Sequence, residues 1–203
     1  MITRLAGLLA VLTLGLLSPG PDFLLIVKNS AGTRRGYAYG TVAGITTGLA
    51  VQTLAISLGL VAAPPIVLRG VQLAGAGFLA LIGFRALRAG PATAAGAATD
   101  VRRGPRHGYT EGLVCNLTNP KAFLFFVSLF AQTVRPDTAA FWRILLPLAV
   151  VLHGAAAWSL VATALQSPPV ARRLARAQRW LPRVFGVALI LVAGAVLANA
   201  WRG

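Results

Sequence analysis

Six runs of mostly apolar residues, at 5–27, 40–63, 67–87, 111–133, 141–165 and 184–201, alternate with short polar stretches along the 203-residue chain. Each is close to the ~20 apolar residues that a helix needs to cross ~30 Å of hydrocarbon, so the pattern predicts six transmembrane helices. The first run, led by Arg4, has the outline of a secretion signal, but no small-x-small cleavage site follows it. It is expected to be a retained helix.

The loops add an orientation. Lys28, Arg34 and Arg35 fall in the first, Arg85, Arg88, Arg102, Arg103 and Arg106 in or beside the third, and Arg172, Arg173, Arg176, Arg179 and Arg183 in the fifth. The opposite side carries only Arg4, Arg69, Arg135, Arg143 and Arg202. Basic residues in short loops stay on the cytoplasmic side, so loops 28–35, 88–106 and 166–183 are expected inside and both termini outside. Within the fifth loop, Val170, Leu174, Ala177 and Leu181 share one helical face among the arginines. That predicts a short amphipathic helix in the membrane interface, drawn to anionic lipid.

The Ala/Gly/Thr/Arg-rich stretch 90–110 has no apolar periodicity and reads as a cytoplasmic linker between two halves, 1–89 and 111–203, of one transporter domain. Three crossings is an odd number, so the second half must enter from the opposite side. The expected fold class is therefore an all-α membrane protein with six transmembrane helices in a 3+3 inverted repeat.

Composition agrees: 57% of residues are hydrophobic and 11% charged, with a mean hydropathy of +0.74. A soluble domain of this size carries roughly 25% charged residues. The net charge of +15 does not point to nucleic acid, because the arginines are gathered between the apolar runs. Cys115 is a lone cysteine, which excludes an intrachain disulfide, a Cys-x-x-Cys pair and a thiolate zinc cage, and the two histidines, His107 and His153, are too few for a histidine metal site. No metal or cofactor is expected, and no enzyme. An intramembrane aspartyl protease needs a second intramembrane aspartate beside Asp22, and the His-Glu-x-x-His metalloprotease motif is absent. The alternative to a solute exporter is a cation or metal-ion transporter or channel of similar architecture, although hard-cation sites want several carboxylates.

Candidate chemistry lies where helices must break. Ser18-Pro19-Gly20-Pro21-Asp22 interrupts the first run and Asn116-Leu117-Thr118-Asn119-Pro120-Lys121 the fourth, the first run of each half. Proline lacks the N–H that bonds four residues back, so these breaks free the carbonyls of Gly15, Leu17 and Asn116. Such backbone survives in a membrane only where protein or a wet cavity satisfies it. Beyond each break a half-helix opens with its positive dipole end, and paired interrupted helices mark transport sites. A charge at membrane depth costs at least ~2.5–3.5 kcal/mol, so Asp22 and Lys121 are expected to face protein or water, and to pair with each other in the empty state. In the expected scheme the freed carbonyls take an ammonium group, and Lys121 with the half-helix amides takes a carboxylate. Gln52, Gln72, Gln132 and His153 either line a pore or satisfy neighbouring backbone. Gly40, Gly44 and Gly48, four apart on one face, form a close-packing seam that would also permit a homodimer.

These motifs carry a resemblance. The Pro19-Gly20-Pro21-Asp22 break, the basic turn from Gly32 to Gly36, Gly40-x3-Gly44-x3-Gly48, and Gly112-x3-Asn116-Leu117-Thr118-Asn119-Pro120-Lys121-Ala122-x2-Phe125-Phe126 resemble the lysine exporter (LysE) family, including its homoserine and threonine efflux branch. The resemblance spans essentially the whole chain. It implies a bacterial inner-membrane exporter of amino acids or close derivatives, driven by the proton gradient. The functional positions it implies are Pro19, Gly20, Pro21, Asp22, Asn116, Asn119, Pro120 and Lys121. Gln52 and His153 are added to the candidate substrate site from their place inside spans. Gln52 stands where many relatives place a histidine, and Gln72 and Phe78 where a lysine and a tyrosine are frequent.

Overall fold

The computed structural model describes residues 2–17, 20–30, 34–88, 104–134, 138–177 and 180–202. These form helices joined by turns, with no strand among them: α1 (Ile2–Leu17), α2 (Pro21–Ser30), α3 (Arg35–Ala62), α4 (Pro65–Arg88), α5 (Pro105–Leu117), α6 (Pro120–Ala131), α7 (Ala140–Leu165), α8 (Pro168–Ala177) and α9 (Leu181–Arg202).

Three helices, α3, α4 and α7, are long and apolar enough to cross a membrane. Two bent pairs are apolar enough only when taken together, α1 with α2 at 60° and α5 with α6 at 59°, each a broken span or a re-entrant loop, so the described residues hold three to five candidate spans where the sequence predicts six. In α9 the apolar stretch is shorter, Pro182–Ala195. Proline marks five of the helix starts among the described residues. It opens α2, α4, α5, α6 and α8, where its fixed φ suits a first turn and its missing N–H costs nothing. Outward-facing positions are large and apolar, with Ile66 78%, Leu160 71% and Leu191 68% exposed. In water such a surface would aggregate, and in lipid it is the favourable one.

Small residues set the tightest packing. A Cβ added to Gly40 or Gly44 would collide with the carbonyls of Pro105 and Tyr109, one on Gly48 would lie 2.6 Å from Asn116 Oδ1, and Gly108 and Gly112 press back on Tyr37 and Thr41. The seam predicted on the second span is thus filled by α5 of the same chain. Gly83 and Gly186 make a similar close approach between α4 and α9. Around these contacts one apolar core gathers Leu12, Leu49, Phe126 and Phe185, and a second holds Phe23, Ile45 and Trp158.

Two local expectations need correction. Residues 105–110, read as linker, are helical and begin α5: Pro105 starts the turn, and glycine spacing toward α3 substitutes for the missing apolar periodicity. The amphipathic stripe of the fifth loop divides, because α8 ends at Ala177 and Leu181 opens α9. Arg172, Arg173 and Arg176 are exposed on α8. The basic segments come together at one end of the bundle: Arg35 Nε donates to Gln166 Oε1 at 3.1 Å, and Gly36 stands against Pro105.

Candidate functional site

The second break is built by local rules. Asn119 caps α6, its side-chain oxygen accepting from the amides of Lys121 at 3.1 Å and Ala122 at 3.3 Å, with Pro120 in the first turn. The Phe123 amide bonds the Asn119 carbonyl. The leading amides of this half-helix are therefore taken, and an anion arriving here would meet Lys121 Nζ instead of backbone. The Asn116 carbonyl is taken as well: Gln52, buried on α3, donates to it through Nε2 at 2.7 Å. Expected to bind a substrate's ammonium and carboxylate, the Asn116 carbonyl and the leading amides instead satisfy the break itself, as a low-dielectric interior demands.

The first break contributes Asp22 in the opening turn of α2, where the helix dipole favours an acid. Its carboxylate does not fold back on its own helix. It accepts from Asn116 Nδ2 at 2.9 Å, from Cys115 Sγ at 3.4 Å and from the Asn119 side chain, all at the other break. Lys121 lies near enough to interact with it electrostatically. Lys121 Nζ also stands 5.6 Å from the Phe185 ring centroid, and a Cβ on Gly20 would come within 3.1 Å of it. Gly20 is what lets the lysine cross the first break.

One cavity joins these groups. Gly20, Asp22, Asn116, Asn119 and Lys121 line its polar side, and Leu12, Ile45, Leu49, Phe126, Trp158 and Phe185 belong to its apolar wall. Asn116 Oδ1 and Gln52 Oε1 are buried acceptors with no hydrogen-bond partner among the described residues. Pro21 and Pro120 open the two half-helices. Pro19 lies outside the described residues.

Other candidates fall elsewhere. His153 pairs with Thr13 at 2.8 Å and is not in the cavity lining. The Thr13 hydroxyl proton goes to the Leu9 carbonyl, so His153 Nε2–H is the donor. Gln72 Nε2 bonds the Ala131 carbonyl at 2.8 Å, and Gln132 Nε2 the Gln72 carbonyl at 3.3 Å, both as backbone partners. Sequence reasoning gave no role to Cys115 beside Asp22, to the Phe126–Trp158–Phe185 wall, or to a second cluster around Glu111. There Glu111 accepts from Tyr37 Oη at 2.7 Å and Asn29 Nδ2 at 2.9 Å, with His107 Nε2 3.2 Å from its other oxygen. The one signal in the sequence was the i, i+4 spacing of His107 and Glu111 on a helix. The described residues hold no group of three His, Cys, Asp or Glu side chains able to share a metal ion.

Apolar helices thus bring an acid and a base from two breaks to one cavity. The chain belongs to the LysE type translocators, whose family pattern matches residues 13–200. It is similar to an uncharacterized membrane protein of Pseudomonas aeruginosa, 37% identical over 151 residues that cover 68% of this chain and 67% of that one. The threonine efflux protein of Escherichia coli (strain K12) is 30% identical over 176 residues, 82% of this chain and 84% of its own. The leucine efflux protein of Salmonella choleraesuis is 32% identical over 121 residues, 58% and 57% of the two. No solved structure matches. Family and relatives make this a transporter, not an enzyme.

Proposed function

We propose that the protein exports free amino acids or close derivatives across the bacterial inner membrane by proton antiport. The observation that carries this reading is the cavity shared by Asp22 and Lys121, which arrive from opposite breaks. A free amino acid presents an ammonium and a carboxylate a few ångströms apart, whatever its side chain. A carboxylate accepts about four hydrogen bonds. Asn116, Cys115 and Asn119 supply three, leaving Asp22 one position for the ammonium, with Asn116 Oδ1 beside it. Lys121 Nζ takes the carboxylate. Asp22, the one acid in the lining, exchanges a proton when the substrate leaves.

The two bends, 60° and 59°, and the packing of α3 on α7 and of α4 on α9 support a six-span, 3+3 inverted repeat with halves 1–89 and 111–203, because corresponding spans then meet in pairs. The basic segments at one end support a cytoplasmic face there, with the exposed arginines of α8 on anionic lipid and both termini outside.

Proteoliposomes loaded with labelled amino acids test this. Release is expected to accelerate when the outside is made more acidic and to lose that acceleration with a protonophore. Release indifferent to the gradient would remove the antiport, and no release of any amino acid would remove the function.

A further inference from the structure

The cavity's apolar wall has no part in holding the two charged ends that every amino acid shares, so it is free to read the side chain. This step rests on the reading that the cavity holds a free amino acid. Besides Asp22 and Lys121, the polar side chains in the lining are Asn116 and Asn119; Asn119 caps the break, Asn116 Nδ2 bonds Asp22, and the open acceptor Asn116 Oδ1 goes to the substrate ammonium in that reading. The rest of the lining includes Ile45 and Leu49 from α3, Phe126 from α6, Trp158 from α7 and Phe185 from α9, none more than 3% exposed. This wall contains no carboxylate, no hydroxyl and no amide. The indole N–H of Trp158 is its single polar group, so it offers one donor and no acceptor. A substrate ammonium or guanidinium beyond the α-carbon would be stripped of water with no counter-charge, and a hydroxyl proton would go unpaired.

We infer that the substrates are amino acids with apolar aliphatic side chains, and that Leu49, Phe126 and Trp158 set this selectivity. Valine and threonine are nearly isosteric, which makes them the sharpest pair. An apolar pocket rejects an isostere that adds a hydroxyl by about 10²-fold at most, so a preference for valine of about ten- to a hundredfold is the expected range.

The test is exchange of labelled leucine from proteoliposomes of the full chain, challenged with unlabelled leucine, valine, methionine, threonine and lysine outside. The first three are expected to compete, valine at least tenfold better than threonine, and lysine not at all. Threonine or lysine exchanging as well as valine overturns the inference while leaving amino-acid export standing. Failure of every amino acid to exchange removes the export reading itself, and this inference with it. Leu49→Gln, which sets an acceptor on the wall, is expected to cut the valine-to-threonine ratio at least threefold, and Phe126→Tyr to cut it less. Both variants active with an unchanged ratio would move side-chain recognition away from this wall.

Discussion

Asp22 and Glu111 are the two carboxylates among the described residues, and both are held by amides from another helix. Around Glu111 the ring is made of a phenol, an amide and an imidazole. Asn29 spends its two N–H bonds on Glu111 and Thr41, Thr41 bonds the Tyr37 carbonyl, and Tyr37 stacks on His107 with centroids 6.3 Å apart. These contacts tie α2, α3 and α5 together near the basic end of the bundle. Asp22 is also ringed by donors, but it lines a cavity together with Lys121 and several aromatic rings. The difference lies in the surroundings and not in the residue type: one acid fastens helices, and the other lines a cavity, where the proposed function has it meet the substrate.

Isosteric neutralisation separates the two most strongly. Asp22→Asn is expected to lower export about a hundredfold or more in a protein that still inserts, since losing one member of a buried hydrogen-bonded charge pair costs ~2–5 kcal/mol and ~1.4 kcal/mol is tenfold. Glu111→Gln is expected to leave the export rate within about threefold, and to lower the melting temperature in detergent by the equivalent of about 1–2 kcal/mol as its charged hydrogen bonds weaken. The opposite ranking would break the comparison. Asn119→Ala is expected to come next. It removes a cap worth about 1 kcal/mol and one donor to Asp22, so export should fall about tenfold. Gly20→Ala has the smallest effect: its Cβ would meet Lys121 Nζ at 3.1 Å, and a flexible lysine can yield. A rise of a few-fold in KM with little change in kcat is the expected kinetic signature.

Much of this site was legible because proline chemistry is local. Pro21 and Pro120 cannot continue a helix, so the second half-helix of each bent pair starts where the sequence puts a proline, and Asp22 and Lys121 follow at once. Glycine spacing likewise showed a seam on α3, although its partner depended on tertiary contacts with Gly108 and Gly112. What could not be read was how the freed groups are satisfied. Gln52 is 64 residues from Asn116, and no periodicity connects them. The same holds for Asn29, Tyr37 and Glu111, each unremarkable alone and meaningful once α2, α3 and α5 meet. The helical start of α5 at Pro105 was hidden because its packing uses glycine, which carries no apolar signal.

The central claim is that the two breaks form one site in which Lys121 holds the substrate carboxylate. Efflux from proteoliposomes by Lys121→Met, compared with wild type across a range of external pH, tests it most directly. Correctly inserted Lys121→Met protein is expected to show no amino-acid efflux above the empty-vesicle rate at any pH. Wild-type rate and pH dependence in Lys121→Met would contradict it, because the substrate would then have to bind away from the broken helices.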